Sequence, residues 1–159
     1  MALALIVVAL ALFIASWALQ RSTGVRVGDV SAEPLLVDEA RRLRGRPDYL
    51  VRERAGLVPI ELKPLRRSTV LYESDRVQLG AYLLLVRASY PSAFAGYGRV
   101  RYRDVEFTVT LDPALEARCL ALAERVRAAR GAGDVHRTHD IAGKCGACAH
   151  RAACGESLV

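Results

Sequence analysis

The sequence predicts an α/β (α+β) domain, a mixed sheet flanked by helices, set between an apolar N-terminal segment and a cysteine-rich tail. Three observations carry this. After residue 46 the patterns run strand, strand, helix, strand, strand, helix, an order that suits helices packed on a mixed sheet. Residues 1–19 contain no charged side chain. Of the four cysteines, Cys145, Cys148 and Cys154 fall within the last fifteen residues.

The chain has 159 residues, a net charge of +6 and a pI near 9.5. That length holds one domain and hardly two. The basic balance favours a polyanionic partner, nucleic acid or an acidic membrane surface, and equally suits an ordinary solvated surface.

Residues 1–20 read as a transmembrane anchor. As a helix, residues 1–19 would be about 28 Å long, close to the roughly 30 Å hydrocarbon core of a bilayer. Trp17 lies near one end, where an interfacial indole is favourable. A secretory signal would need basic residues ahead of the apolar run, and Arg21 and Arg26 lie behind it. The positive-inside rule then keeps the domain cytoplasmic, on a single-pass membrane protein. Residues 21–33 read as a linker, 34–134 as the core and 135–159 as the cysteine-rich tail.

Within the core, residues 34–44 mix apolar and charged residues and fit either a strand or a short helix. Residues 47–54 and 57–63 read as two strands joined at Ala55-Gly56, with Pro64 stopping the second. Residues 74–88 read as a buried helix, apolar almost all round. Gly96-Tyr97-Gly98 reads as a turn, followed by strands at 100–103 and 105–110 rich in β-branched and aromatic residues. Asp112-Pro113 starts a last helix, with Asp at the N-cap and Pro at N1. It runs to about Arg130, with Leu115, Cys119, Leu120, Leu122 and Val126 as apolar positions, and Gly131 to Gly133 end it.

The chemistry concentrates on the first two strands. Residues two apart on a strand share a face, so Glu61 and Lys63 project together. A two-residue loop at Ala55-Gly56 pairs Arg54 with Leu57, Leu50 with Glu61 and Asp48 with Lys63. Asp48, Glu61 and Lys63 then emerge on one side, with Asp48 about 7–8 Å diagonally from Glu61. Two carboxylates at that spacing can converge on one hard cation such as Mg²⁺ or Mn²⁺, which suits phosphodiester hydrolysis. An adjacent Lys can orient water or stabilise charge in the transition state. The plainer reading is a surface hairpin with an ion pair. Gln78 and Tyr82 stand one helical turn apart on a shared face and bring polar groups that need partners. Satisfied core polar groups would look the same.

Together, Gly45-Arg-Pro-Asp48, Ile60-Glu-Leu-Lys63, Ser74 to Tyr82 and the C-terminal Cys-x-x-Cys-x₅-Cys resemble the RecB-like nucleases of the PD-(D/E)XK superfamily. The branch they look most like is the CRISPR-associated iron–sulfur exonucleases (Cas-four type) and their stand-alone relatives. The resemblance spans roughly residues 34–157. It implies a restriction-endonuclease-like fold and cleavage of single-stranded DNA, often from an end, with Mg²⁺ or Mn²⁺, in CRISPR-type defence or DNA repair. It implies metal ligation by Asp48 and Glu61, with the Leu62 carbonyl as a further ligand, Lys63 as the catalytic lysine and Gln78 as the helix glutamine. CRISPR or repair proteins become expected partners. Two departures stand out. No His precedes His136, where the family commonly has a ligand ahead of the Asp motif, and no cysteine lies in the N-terminal part.

Cys145, Cys148 and Cys154 are soft ligands suited to an iron–sulfur cluster or Zn²⁺, and spacing does not separate the two. The resemblance favours the cluster; a remnant motif of free cysteines is the alternative. Cys119, His136, His139 and His150 are candidates for a fourth ligand, although Cys119 also suits an apolar core. Arg137, Lys144 and Arg151 would track a DNA backbone or form a solvated basic face. Two other functional classes compete with the nuclease: a catalytically decayed nucleic-acid-binding module, and a membrane-tethered Fe–S or zinc interaction module whose charge serves anionic lipid.

Overall fold

The structure is a computed structural model and describes residues 30–32, 34–132 and 136–159. The expected anchor over residues 1–20 lies outside the described residues. Among those described, no helix is long and apolar enough to cross a membrane. The chain divides into two compact units between Ala121 and Leu122.

The first unit holds a five-stranded sheet of order β1-β4-β5-β6-β7 and a separate two-stranded ribbon, β2-β3. The strands are β1 (Val30–Ala32), β2 (Leu36–Asp38), β3 (Leu43–Gly45), β4 (Tyr49–Glu53), β5 (Gly56–Lys63), β6 (Tyr97–Tyr102) and β7 (Glu106–Thr110). All neighbours are antiparallel except β5 and β6, which run parallel across the crossover helix α1 (Glu73–Ser89). This is the mixed sheet that the pattern order implied.

Strand β5 sits at the centre. Leu57, Val58, Pro59, Ile60 and Glu61 are all buried, as expected of a strand with neighbours on both sides and covered faces. Helix α1 buries Leu79, Leu83, Leu84, Leu85 and Val86. Leu79, Leu83 and Leu84 join Val100, Tyr102, Val109, Leu115 and Cys119 in one cluster, while Leu85 and Val86 join Leu36, Leu50 and Leu57 in another. Truncating any of these leucines to Ala should cost about 2–5 kcal/mol. Helix α2 (Pro113–Ala132) starts as the sequence implied: Asp112 Oδ1 accepts the Leu115 N–H at 2.7 Å.

Several local expectations are corrected. The β4–β5 turn is Arg54-Ala55, closed by Glu53 opposite Gly56, so Leu50 pairs with Pro59 rather than with Glu61. The cause is tertiary. Gly56 has φ 133°, and a Cβ there would come within 2.3 Å of the Ala93 carbonyl oxygen, so only glycine can open this strand. Residues 34–44, left between strand and helix, form the β2–β3 ribbon, whose turn is tied by Asp38 accepting from the Arg41 backbone N–H and guanidinium. Val30–Ala32, read as linker, pairs with the outer edge of β4. Gly98, read as part of a turn, lies inside β6, where a Cβ would stand 2.9 Å from the Pro59 carbonyl. Val126, expected on an apolar stripe, is 52% exposed.

The second unit comprises the end of α2, the short helix α3 (Ala142–Gly146) and a 3₁₀ turn at Arg151–Ala153. Among its described residues Cys145 alone is buried. Polar contacts hold it: Glu156 accepts from the Arg137 backbone N–H at 2.6 Å and pairs with His136 Nδ1 at 2.8 Å.

Candidate active site

Asp48 precedes β4, and its Oδ2 accepts the Leu62 N–H of β5 at 2.7 Å. Continuing the observed register places Asp48 opposite Glu61, two residues from the pairing expected. A shift of two keeps every side chain on its face, so Asp48, Glu61 and Lys63 still share one side.

Glu61 is 5% exposed. Its Oε1 accepts from Lys63 Nζ at 2.6 Å and from Gln78 Nε2 at 2.8 Å. Gln78 Nε2 also donates to the Tyr82 hydroxyl at 3.0 Å, so the i,i+4 pair on α1 forms a relay onto Glu61. Burial raises the Tyr82 hydroxyl above its ordinary pKa of 10.0; Glu61 and Asp48 push it further up, against Gln78 and Lys63. Tyr82 therefore senses all the other side chains of the constellation and stays a neutral hydrogen-bonding group across physiological pH.

The donor set fits a hard cation. Glu61 Oε2 and Asp48 Oδ1 take no hydrogen bond or ion pair among the described residues. Two carboxylates suffice for Mg²⁺, which usually keeps several waters and completes its shell with substrate oxygens. Asp48 and Leu62 also line a depression of about 290 Å³ with Ala32, Tyr49 and Pro64. Among the described residues, no three His, Cys, Asp or Glu side chains are gathered as a ready-made metal cage.

The chain matches the PD-(D/E)XK nuclease superfamily over residues 4–155. It belongs to that superfamily. Its members hydrolyse phosphodiester bonds with divalent metals, and the motifs on β4, β5 and α1 fall within the matched span. The chain is also similar to the CRISPR-associated exonuclease Cas4/endonuclease Cas1 fusion of Myxococcus xanthus (strain DK1622), with 33% identity over 126 residues. That alignment takes in 75% of this chain, and the chain spans 22% of the relative's length. The crystal structure of SSO0001 shares the fold, with a TM-score of 0.55, 20% identity, and coverage of 95% of this chain and 72% of that one.

The superfamily signature did not reveal what steadies α1. Asp75, one turn before Gln78, is 2% exposed. Its Oδ2 accepts from the Tyr102 hydroxyl at 2.6 Å and pairs with Arg66 Nε at 3.2 Å. The Tyr102 oxygen in turn accepts the Tyr72 N–H at 3.0 Å. Tyr102 lies 27 positions from Asp75 and 30 from Tyr72, and only the fold joins them.

In the second unit, Cys145, Cys148 and Cys154 are free thiols lining one cavity of about 290 Å³ with Arg137, His139, His150, Arg151 and Ser157. Soft thiolates and imidazoles are the donors an iron–sulfur cluster or Zn²⁺ takes. Cys119 belongs to the first unit's core, where its thiol donates to the Val77 carbonyl at 3.4 Å.

Proposed function

We propose that this protein is a metal-dependent DNA nuclease that digests single-stranded DNA from an end, in CRISPR-type defence or DNA repair. The observation that carries it is the Glu61 carboxylate, fixed by Lys63 and Gln78 with one oxygen left for a cation, beside an Asp48 in the same state. Asp48 and Glu61, with the Leu62 carbonyl, would hold Mg²⁺ or Mn²⁺, which when bound polarises the phosphoryl oxygen and acidifies water. Lys63 Nζ, 2.6 Å from Glu61 Oε1, would orient the attacking water or meet the charge on the phosphoryl oxygens. Gln78 and Tyr82 keep the Glu61 carboxylate aimed. The name of the Myxococcus xanthus relative, an exonuclease fused to an endonuclease, supports the exonuclease and CRISPR parts of this reading. The uncharged run of residues 1–19 supports a membrane tether with the catalytic domain cytoplasmic.

The test uses detergent-solubilised full-length protein with end-labelled single- and double-stranded DNA, with and without Mn²⁺. Mn²⁺-dependent shortening of the single strand from one end is expected. Binding without cleavage would instead favour the decayed, DNA-binding reading.

A further inference from the structure

We propose that His139 is the fourth ligand of the tail, making it a site of three cysteines and one histidine for a thiophilic metal group. The inference rests on the reading of Cys145, Cys148 and Cys154 as metal ligands and adds to it.

Three observations converge on His139. His139 lines the same cavity as the three cysteines. The four residues share that cavity without being gathered into a ready-made cage, and Arg137 holds the segment that carries His139. The Arg137 backbone N–H and guanidinium Nε both donate to Glu156, at 2.6 and 3.0 Å, while Nη1 donates to the His139 carbonyl and to Asp140 Oδ1. Arg137 thereby straps the segment carrying His139 to the segment that follows Cys154. Finally, the ring is lightly engaged: Nδ1 accepts the Ile141 N–H at 3.3 Å, a long bond that a metal can displace at little cost.

The other candidates fit less well. Cys119 is buried in an apolar cluster with its thiol donated to Val77, and desolvation raises its pKa, which disfavours the thiolate a metal needs. His136 is paired with Glu156. His150 also lines the cavity, but among the described residues no strap of the Arg137 kind fixes it. A neutral imidazole in place of a fourth thiolate leaves the centre one charge less negative, which raises a cluster's reduction potential.

The experiment is anaerobic purification of the full chain and of His139→Ala, His139→Cys and His150→Ala, followed by iron, sulfide and zinc analysis, absorption spectra and a chelator challenge. Wild type should carry metal. His139→Ala should lose it about tenfold or more faster to chelator. His139→Cys should retain it with an altered spectrum and, for a cluster, a lower potential, which a merely misfolded tail would not do. His150→Ala should match wild type. Iron with sulfide identifies a cluster and zinc alone a zinc site, the ligand set standing in both. Metal-loaded His139→Ala with the wild-type spectrum, or loss confined to His150→Ala, would overturn the assignment of His139. Metal-free wild type would overturn the metal reading of the tail itself.

Discussion

Gln78→Ala probes the relay behind Glu61. The side-chain amide donates to a carboxylate that is 5% exposed and simultaneously to a phenol. Removing it leaves Glu61 Oε1 with Lys63 alone. A hydrogen bond to a charged group is worth about 1.5–3 kcal/mol, and if that aim matters only in the transition state, kcat/KM falls roughly 10- to 150-fold. Tyr82→Phe removes a neutral acceptor one step further out, worth about 0.5–1.5 kcal/mol, or roughly 2- to 13-fold. Because Tyr82 acts on Glu61 through Gln78, the double variant should be no slower than Gln78→Ala. The assay is single-turnover cleavage of labelled DNA with Mn²⁺ on variants matched by circular dichroism. If Gln78→Ala cuts within twofold of wild type, or the two losses multiply, the relay does not orient Glu61.

Two further outcomes concern stability. Tyr102→Phe strips Asp75 of its 2.6 Å donor while leaving it 2% exposed, so unfolding free energy should fall by about 2–3 kcal/mol and Tm by roughly 6–10 °C. An unchanged Tm would mean Arg66 alone satisfies Asp75. The Tyr82 and Tyr102 hydroxyls are raised above 10.0 chiefly by burial, and that of Tyr97 chiefly by its bond to Glu53. The folded state therefore holds these protons more tightly than the unfolded chain. The stability they contribute is full below about pH 10 and is lost as pH rises through the folded values. Urea unfolding at increasing alkaline pH should show this decline, and a flat profile would contradict it.

The geometry of the candidate site was legible because its rules are local. The period of two put Asp48, Glu61 and Lys63 on one face, and that conclusion survived a wrong register because the error was an even number of residues. The turn of a helix put Gln78 under Tyr82. Long-range contact decided the rest. Gly56 was assigned to the turn because nothing in the sequence says that the Ala93 carbonyl presses against it. Strands of three residues, as in the β2–β3 ribbon, are too short for a period to declare itself. The Asp75–Tyr102 pair joins α1 to β6 across 27 positions, and in the sequence Asp75 looks like one more charge in a first turn that also holds Glu73 and Arg76.

The most direct test of the account is Glu61→Ala in the full-length protein, assayed for Mn²⁺-dependent DNA cleavage beside a wild-type control of equal helical content. Losing this ligand removes several kcal/mol of charge stabilisation, on the order of a thousandfold in rate, and added Mn²⁺ should not restore it. Cleavage by the folded variant at the wild-type rate would contradict the assignment of the active site to Asp48, Glu61 and Lys63.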